Sequence, residues 1–159
     1  MAAKYDLEVL MSDIQTIMAN NLNTKITAIN AEKADSISLT TVDSDSYFFQ
    51  TMDETTVNKN PFVYYGINEI ETDGIGPVVA RNITIGVIIV YADTHQDLLI
   101  ANYMLRYLRA LEETFTDNWN ETQSRAKLRV ESFAPFQFEG VNTSNMHRAA
   151  AVALRLTMP

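Results

Sequence analysis

Hydrophobic residues recur at spacings of three and four in two parts of the chain. Between residues 5 and 22 they form one stripe, which predicts an amphipathic helix. The asparagines at 20–24 are expected to end this helix. A second helix is predicted to begin at a Thr94 N-cap and to present a core stripe over 98–115. Residues 25–35 fit either a short helical turn or a short strand.

Alternation of apolar and polar residues predicts the strands. They are expected at 36–42, 47–49, 62–70, 78–91, 126–133 and 150–158. An Asp-Gly turn at 73–74 predicts that 62–70 and 78–91 form one long hairpin. Both faces of 78–91 become apolar towards its end, which predicts a central strand covered on both sides, by helices or by a neighbouring subunit.

Pro135 is expected to end the strand at 126–133 and to leave 134–145 as a long loop. Within this segment Phe136 and Phe138 fall on one side of a short extended piece. Residues 51–60 are polar and without periodicity, which predicts a second long loop. Loops of this length in a compact domain are often functional or ordered by a partner.

These elements together predict an α+β fold. We expect a mixed, mostly antiparallel sheet with an N-terminal helix and one long helix packed on it. The chain of 159 residues contains no internal repeat and no linker, so residues 1–159 are expected to form a single domain.

Composition limits the possible partners. The net charge of −8 and the scattered basic residues disfavour general binding to a phosphate backbone. An acidic lumen through which DNA passes without specific binding is compatible with this charge, but the charge alone favours the simpler explanation of solubility. Residues 1–22 lack the apolar core of a secretion signal, and no apolar run has the length of a membrane span, so no membrane association is expected.

No group of residues predicts catalysis. Neither His95 nor His147 has another histidine or a carboxylate at the spacing of a helical metal-binding motif, and the chain has no cysteine. Glu69 and Glu71 alternate towards a turn, which favours a solvated strand edge over an acid–base pair. We therefore expect a protein that is not an enzyme and has no catalytic, metal or cofactor site.

Aromatic residues next to the long loops are the best candidates for a partner surface. Phe136 and Phe138 fit an exposed patch or a simple core equally well, and Tyr47 and Phe48 beside the 51–60 loop are a weaker case. These four residues are the predicted interface residues.

Several stretches resemble tailed-bacteriophage neck and tail-completion proteins. They are the segment at 61–70 (PFVYYGINEI), its return at 82–91 (NITIGVIIVY), the helix at 104–113 (MLRYLRALEE) and the ending at 148–157 (RAAAVALRLT). The order of helix, long hairpin, helix and two strands is also similar to that of the tail-terminator family.

The resemblance implies a structural protein of the virion neck that is made in the host cytoplasm. It implies a homo-oligomeric ring, commonly a hexamer, that caps the tail tube, stops its polymerisation and joins it to the head-completion complex. Its partners would be further copies of itself, the tail-tube protein and the head-completion proteins. Rings of this kind need two different patches on each subunit to meet.

Three alternatives stay open at this point. The first is a different neck ring, such as a head-closure or adaptor protein. The second is a small-ligand-binding or enzymatic α+β domain, for which Glu69, Glu71 and His95 are the only plausible polar groups. The third is a cytoplasmic adaptor of non-viral origin.

Overall fold

A computed structural model describes residues 6–50, 59–73, 80–93, 98–120, 127–138 and 146–158. These residues form two helices, α1 (Leu7–Lys33) and α2 (Leu98–Asp117). The strands described in them are β1 (Tyr47–Phe49), β2 (Phe62–Asp73), β3 (Ala80–Asp93), β4 (Lys127–Phe138) and β5 (Met146–Met158).

The strands form one sheet in the order β1-β2-β3-β5-β4. β1 runs parallel to β2, whereas the other three pairs are antiparallel. β2 and β3 form the predicted long hairpin, and β5 lies between β3 and β4. The predicted α+β fold with a mixed, mostly antiparallel sheet is confirmed.

Both helices pack on the same face of the sheet. Their buried residues form one core with every second residue of the central strands, such as Ile85 and Val87 on β3 and Val152 and Leu154 on β5. The alternate residues of these strands do not belong to this core. The helices therefore cover one side of β3, and the expectation that a neighbouring subunit covers the other side stays a prediction.

α1 continues well past the asparagines that were expected to end it. It begins at Asp6, whose carboxylate accepts hydrogen bonds from the amides of Glu8 and Val9 at 2.9 and 3.3 Å. It ends at Ala34, which adopts the left-handed conformation (φ 45°) that commonly follows a helix. The prediction of an end near residue 22 is wrong, and the ambiguous stretch 25–33 is helical.

The segment that follows α1 is extended but belongs to no sheet. Residues 35–42, called the strap here, lie along the two helices, and Ile37, Leu39 and Val42 are buried. Asn30 donates to the Leu39 carbonyl at 2.9 Å and accepts from the Leu39 amide at 2.8 Å. Asn23 makes the same two bonds to Val42, both at 2.8 Å. The predicted strand at 36–42 is wrong, because side-chain amides replace a neighbouring strand.

β4 runs through Pro135 without ending. Pro135 stands opposite Ala150 in the register with β5. β4 is an edge strand, where proline is tolerated because its missing N–H can fall on the outer side. The predicted strand end and the loop assignment for 134–138 are therefore wrong, and residues 139–145 lie outside the described part of the chain. β5 begins at Met146, four residues earlier than predicted.

Ion pairs fix the two helices in an antiparallel arrangement. Lys25 of α1 pairs with Asp117 of α2, and Glu32 pairs with Arg109 at 2.7 Å. Arg106 bonds to Asp35, the first residue of the strap, at 2.9 Å. As the residue number rises along α1, that of the partner on α2 falls, so α2 runs back along α1.

Candidate interface surfaces

The face of the sheet opposite the helices carries no helix among the described residues. We call it the open face. It is built from residues that stand opposite one another in the strand registers. They are Phe48, Phe62, Tyr64, Gly66, Glu69 and Glu71, then Asn82, Thr84, Gly86, Ile88 and Val90, then Ala149, Ala151, Ala153, Arg155 and Thr157, and finally Lys127 and Arg129.

One half of the open face is apolar. Tyr64 of β2 stands opposite Ile88 of β3, and Ile88 stands opposite Ala151 of β5. All three side chains are only half-buried. The alanines of β5 and Gly86 of β3 leave this surface low between aromatic residues, and Val90 and Ala149 within it are buried. Aromatic residues of this kind are enriched at protein contacts.

Aromatic rings line the β1 border of this apolar half. Phe48 stands opposite Tyr64 and packs edge-on against Phe62, with ring centroids 6.0 Å apart. Phe48 and Phe62 are both half-buried. The structure therefore places the predicted interface residue Phe48 on the open face.

Tyr47 takes a different place from its neighbour. It stands opposite Val63, and its side chain packs against the core on the helix side. Burial raises the pKa of the Tyr47 hydroxyl to about 12. Tyr47 and Phe48 thus lie on opposite faces, because successive strand residues point in opposite directions.

The other predicted interface residues lie on β4. In the register Phe136 stands opposite Ala149, and Phe138 stands opposite His147. The backbone of both is described, whereas their side chains lie outside the described set. Residues 51–58 of the predicted 51–60 loop also lie outside it, as does His95.

The second half of the open face is polar and charged. Arg155 lies between Glu71 and Glu131, at 3.5 and 3.3 Å from their carboxylates. Arg129 is 70% exposed and lies 3.4 Å from Glu131. Gly86 lies on this face between Thr84 and Ile88, and a Cβ there would be 3.0 Å from the Asn68 side chain. Glu69 and Glu71 are exposed on β2, as the solvated-edge interpretation requires.

A cleft lies between the strap and the start of α2. Its volume is about 230 Å³, and its lining includes Thr40, Tyr91, Tyr103 and Tyr107. The Tyr91 ring packs against Tyr103 and Tyr107 at centroid distances of 5.8 and 5.4 Å. Burial is the main cause that raises the pKa of Tyr107, whose hydroxyl donates to the Thr40 carbonyl at 2.9 Å and accepts from the Thr40 amide at 3.1 Å.

This cleft has few groups that could bind or transform a small molecule. None of its described lining residues is acidic or basic. Glu69 and Glu71 lie elsewhere, on the exposed half of β2. The structure therefore does not bring Glu69 or Glu71 to this cleft, and His95 lies outside the described residues.

Across the described ranges, no three His, Asp or Glu side chains come together in a way that could hold a metal ion. None of the described helices combines the length and apolar character needed to cross a membrane.

Comparisons with known proteins give no family. No family model and no curated protein matches this chain. One solved structure, whose name states no activity, aligns over 89% of this chain and 94% of its own at 11% identity, with a TM-score of 0.42. Likeness at this level carries no argument about function.

The sequence indicated the apolar half of the open face, but it did not indicate that the other half is polar and charged. Alternation in 78–91 indicated that the second face of β3 is apolar near its end. It could not show that Glu69, Arg155 and Arg129 share a row across the sheet, because the order of the strands is not written in the alternation.

Proposed function

We propose that this protein is a virion structural protein of the phage neck, and specifically the tail terminator. In this role it forms a ring that caps the tail tube, stops its polymerisation and joins it to the head-completion complex. The proposal combines the sequence resemblance with the surface of the fold, and it involves assembly and docking without turnover.

The observation that supports it best is the apolar half of the open face. Phe48, Phe62 and Tyr64 border a low surface of half-buried Ile88 and Ala151. A sheet face of this kind is expected to bury itself against another protein. A subunit of a ring stacked on a tube needs such surfaces, whereas a freely diffusing monomer gains nothing from them.

The proposal is tested with tail tubes. The tail-tube protein from the same genome is polymerised with and without this protein, and tube lengths and ends are measured by electron microscopy. We expect rings at tube ends and shorter tubes. Ile88→Lys places a charge in the apolar half and should abolish this effect. Ala28→Lys adds the same charge at an exposed position of α1 and should act like the parent.

Other results would favour other functions. Binding to capsids instead of tubes would assign the protein to a different neck ring. If neither tubes nor capsids are bound, and a metabolite raises the melting temperature, the small-ligand alternative gains support. Equal capping by the parent and Ile88→Lys would show that the apolar half is not the docking surface.

A further inference from the structure

The two outer edges of the sheet carry side chains of opposite charge in the same rows of opposed residues. Glu71 on β2 stands opposite Asn82, Asn82 stands opposite Thr157, and Thr157 stands opposite Lys127 on β4. Directly opposed residues share one face of a sheet. An acidic residue at one edge and a basic residue at the other therefore lie in one row.

The next row on the same face repeats this arrangement. It begins with Glu69 on β2 and ends with Arg129 on β4, with Thr84 and Arg155 between them. Glu69 and Lys127 make no ion pair with any other described residue. The two acidic residues on the β2 edge therefore occupy the same two rows, on the same face of the sheet, as the two basic residues on the β4 edge.

We propose that the β2 edge of one copy docks against the β4 edge of the next copy, with Glu71 facing Lys127 and Glu69 facing Arg129. The part of each edge that carries these residues is called the charged end. β2 and β4 run in opposite directions in the sheet, so the neighbouring edges would meet antiparallel. The contact is head-to-tail, the kind that closes into a ring. The inference deepens the proposed function and rests on it for the closure of the ring.

An apolar contact on the helix side supports the same docking. Ile70 lies between the two glutamates, shares a row with Leu128 of β4, and is 43% exposed. Beside the β4 edge is a cleft of about 350 Å³ whose lining includes Phe115, Leu128 and Trp119, which is 50% exposed. Docking at the charged end would bring Ile70 of one copy to this cleft of the next.

The strand geometry limits the contact to the charged end. β1 already pairs with Val63 to Tyr65 of β2, so a neighbour can approach only the later part of that edge. β2 is bulged at Asn68 and β4 at Glu131, beyond the charged rows in both cases. Bulges bend a strand, and the one at Glu131 lies where β4 must turn away from the neighbour's β1.

Charges on edge strands can also serve only to prevent unwanted pairing. The two explanations differ in what charge reversal does. One variant, Glu69→Arg with Glu71→Lys, makes the β2 edge basic, so both of its edges are basic. The other, Lys127→Glu with Arg129→Glu, makes the β4 edge acidic, so both of its edges are acidic.

Each variant alone should self-associate about tenfold or more weakly than the parent, since two attractive cross-strand pairs become repulsive. An equimolar mixture should assemble again, because every contact then joins a basic to an acidic edge. The measurement is mass by light scattering after size exclusion over a concentration series, with circular dichroism to confirm folding. Raising the ionic strength from about 0.1 M to about 1 M should weaken the parent's association.

Ile70→Ser gives an independent test that leaves the charges unchanged. It should weaken assembly, whereas Val9→Ser, which removes an exposed aliphatic side chain from α1, should not. Assembly of both charge variants on their own, or failure of their mixture, would overturn the inference.

The inference and the proposed function can fail separately. Rings that form in the parent and persist in all variants would overturn the edge contact and leave the tail-terminator proposal intact. Assembly that follows the charge pattern without capping tail tubes would support the edge contact and remove the tail-terminator function. A parent that is monomeric at every concentration would overturn the edge contact, and the tail-tube experiment would then decide the function.

Discussion

Replacement of Asn30 by alanine tests how the strap is held. Asn30 supplies both hydrogen bonds of the Leu39 backbone, at 2.8 and 2.9 Å, at a partly buried position. Each such bond contributes about 0.5–1.5 kcal/mol to stability, and a buried group left unpaired costs more. Alanine recovers about 0.6 kcal/mol of helix propensity inside α1.

The expected net loss is therefore about 1–2 kcal/mol. For a domain of this size this corresponds to a decrease in melting temperature of about 2–8 °C. The assay is urea unfolding followed by circular dichroism, together with amide hydrogen exchange at Leu39. Exchange should accelerate at Leu39 far more than in the central strand β3, because the strap can detach locally while the sheet stays closed.

The matched control is Asn20→Ala. Asn20 lies on the same helix and is exposed, so its replacement should leave stability unchanged or raise it slightly. If Asn30→Ala is as stable as Asn20→Ala and the Leu39 amide stays protected, the two hydrogen bonds do not hold the strap and the reasoning is refuted.

Two further predictions concern the aromatic residues of β4 and the ion pairs of the strap. Phe136→Ala combined with Phe138→Ala should weaken assembly and leave the monomer folded, as measured by light scattering and circular dichroism; an unfolded monomer would assign both residues to the core. The Arg106 guanidinium, with the Ile37 amide, lowers the pKa of the Asp35 carboxyl to about 2. A lowered pKa in the folded protein stabilises it above the unfolded value, about 3.9, and this contribution is lost as pH falls from about 4 to about 2. Arg106→Gln should therefore flatten the stability profile in this pH window, and an unchanged profile would contradict the prediction.

The sequence predicted the fold class because its strong periodic segments agree with the tertiary structure. The stripe at 98–115 became α2, and the alternation at 62–70 and 78–91 became the β2–β3 hairpin. These segments bury one face each, so the pattern of burial is already present in the chain.

The errors in α1 and in residues 36–42 arise where a side chain takes over a backbone role. Asparagine usually weakens a helix by competing for backbone bonds. Here Asn23 and Asn30 direct their amides to the strap instead, so α1 continues past them and residues 36–42 need no partner strand. Local pattern could not reveal this, because the partners are 19 and 9 residues apart and meet only once the strap folds back.

For the candidate surfaces, the sequence could predict which residue types are involved but not how they are arranged across the sheet. Phe48 was identified from its aromatic neighbours, and the structure places it on the open face beside Phe62. The matching charges of the two edges became visible only through the registers, which link Glu71 to Lys127 across two intervening strands. A single sequence specifies such a row only after the order of the strands is known.

Position decides what a charge does in this acidic chain. Arg109 is bound within one subunit, to Glu32 at 2.7 Å and to Glu113 at 2.6 Å, and so links the two helices. Lys127 and Glu69 lie on outer edges without an ion-pair partner among the described residues. Reversal of Arg109 should therefore reduce the free energy of unfolding, whereas reversal of Lys127 or Glu69 should change association alone. Glu71 and Arg129 also pair within the subunit, with Arg155 and Glu131, so Lys127 and Glu69 are the edge charges that separate assembly from folding. Added salt should dissociate copies before it unfolds them.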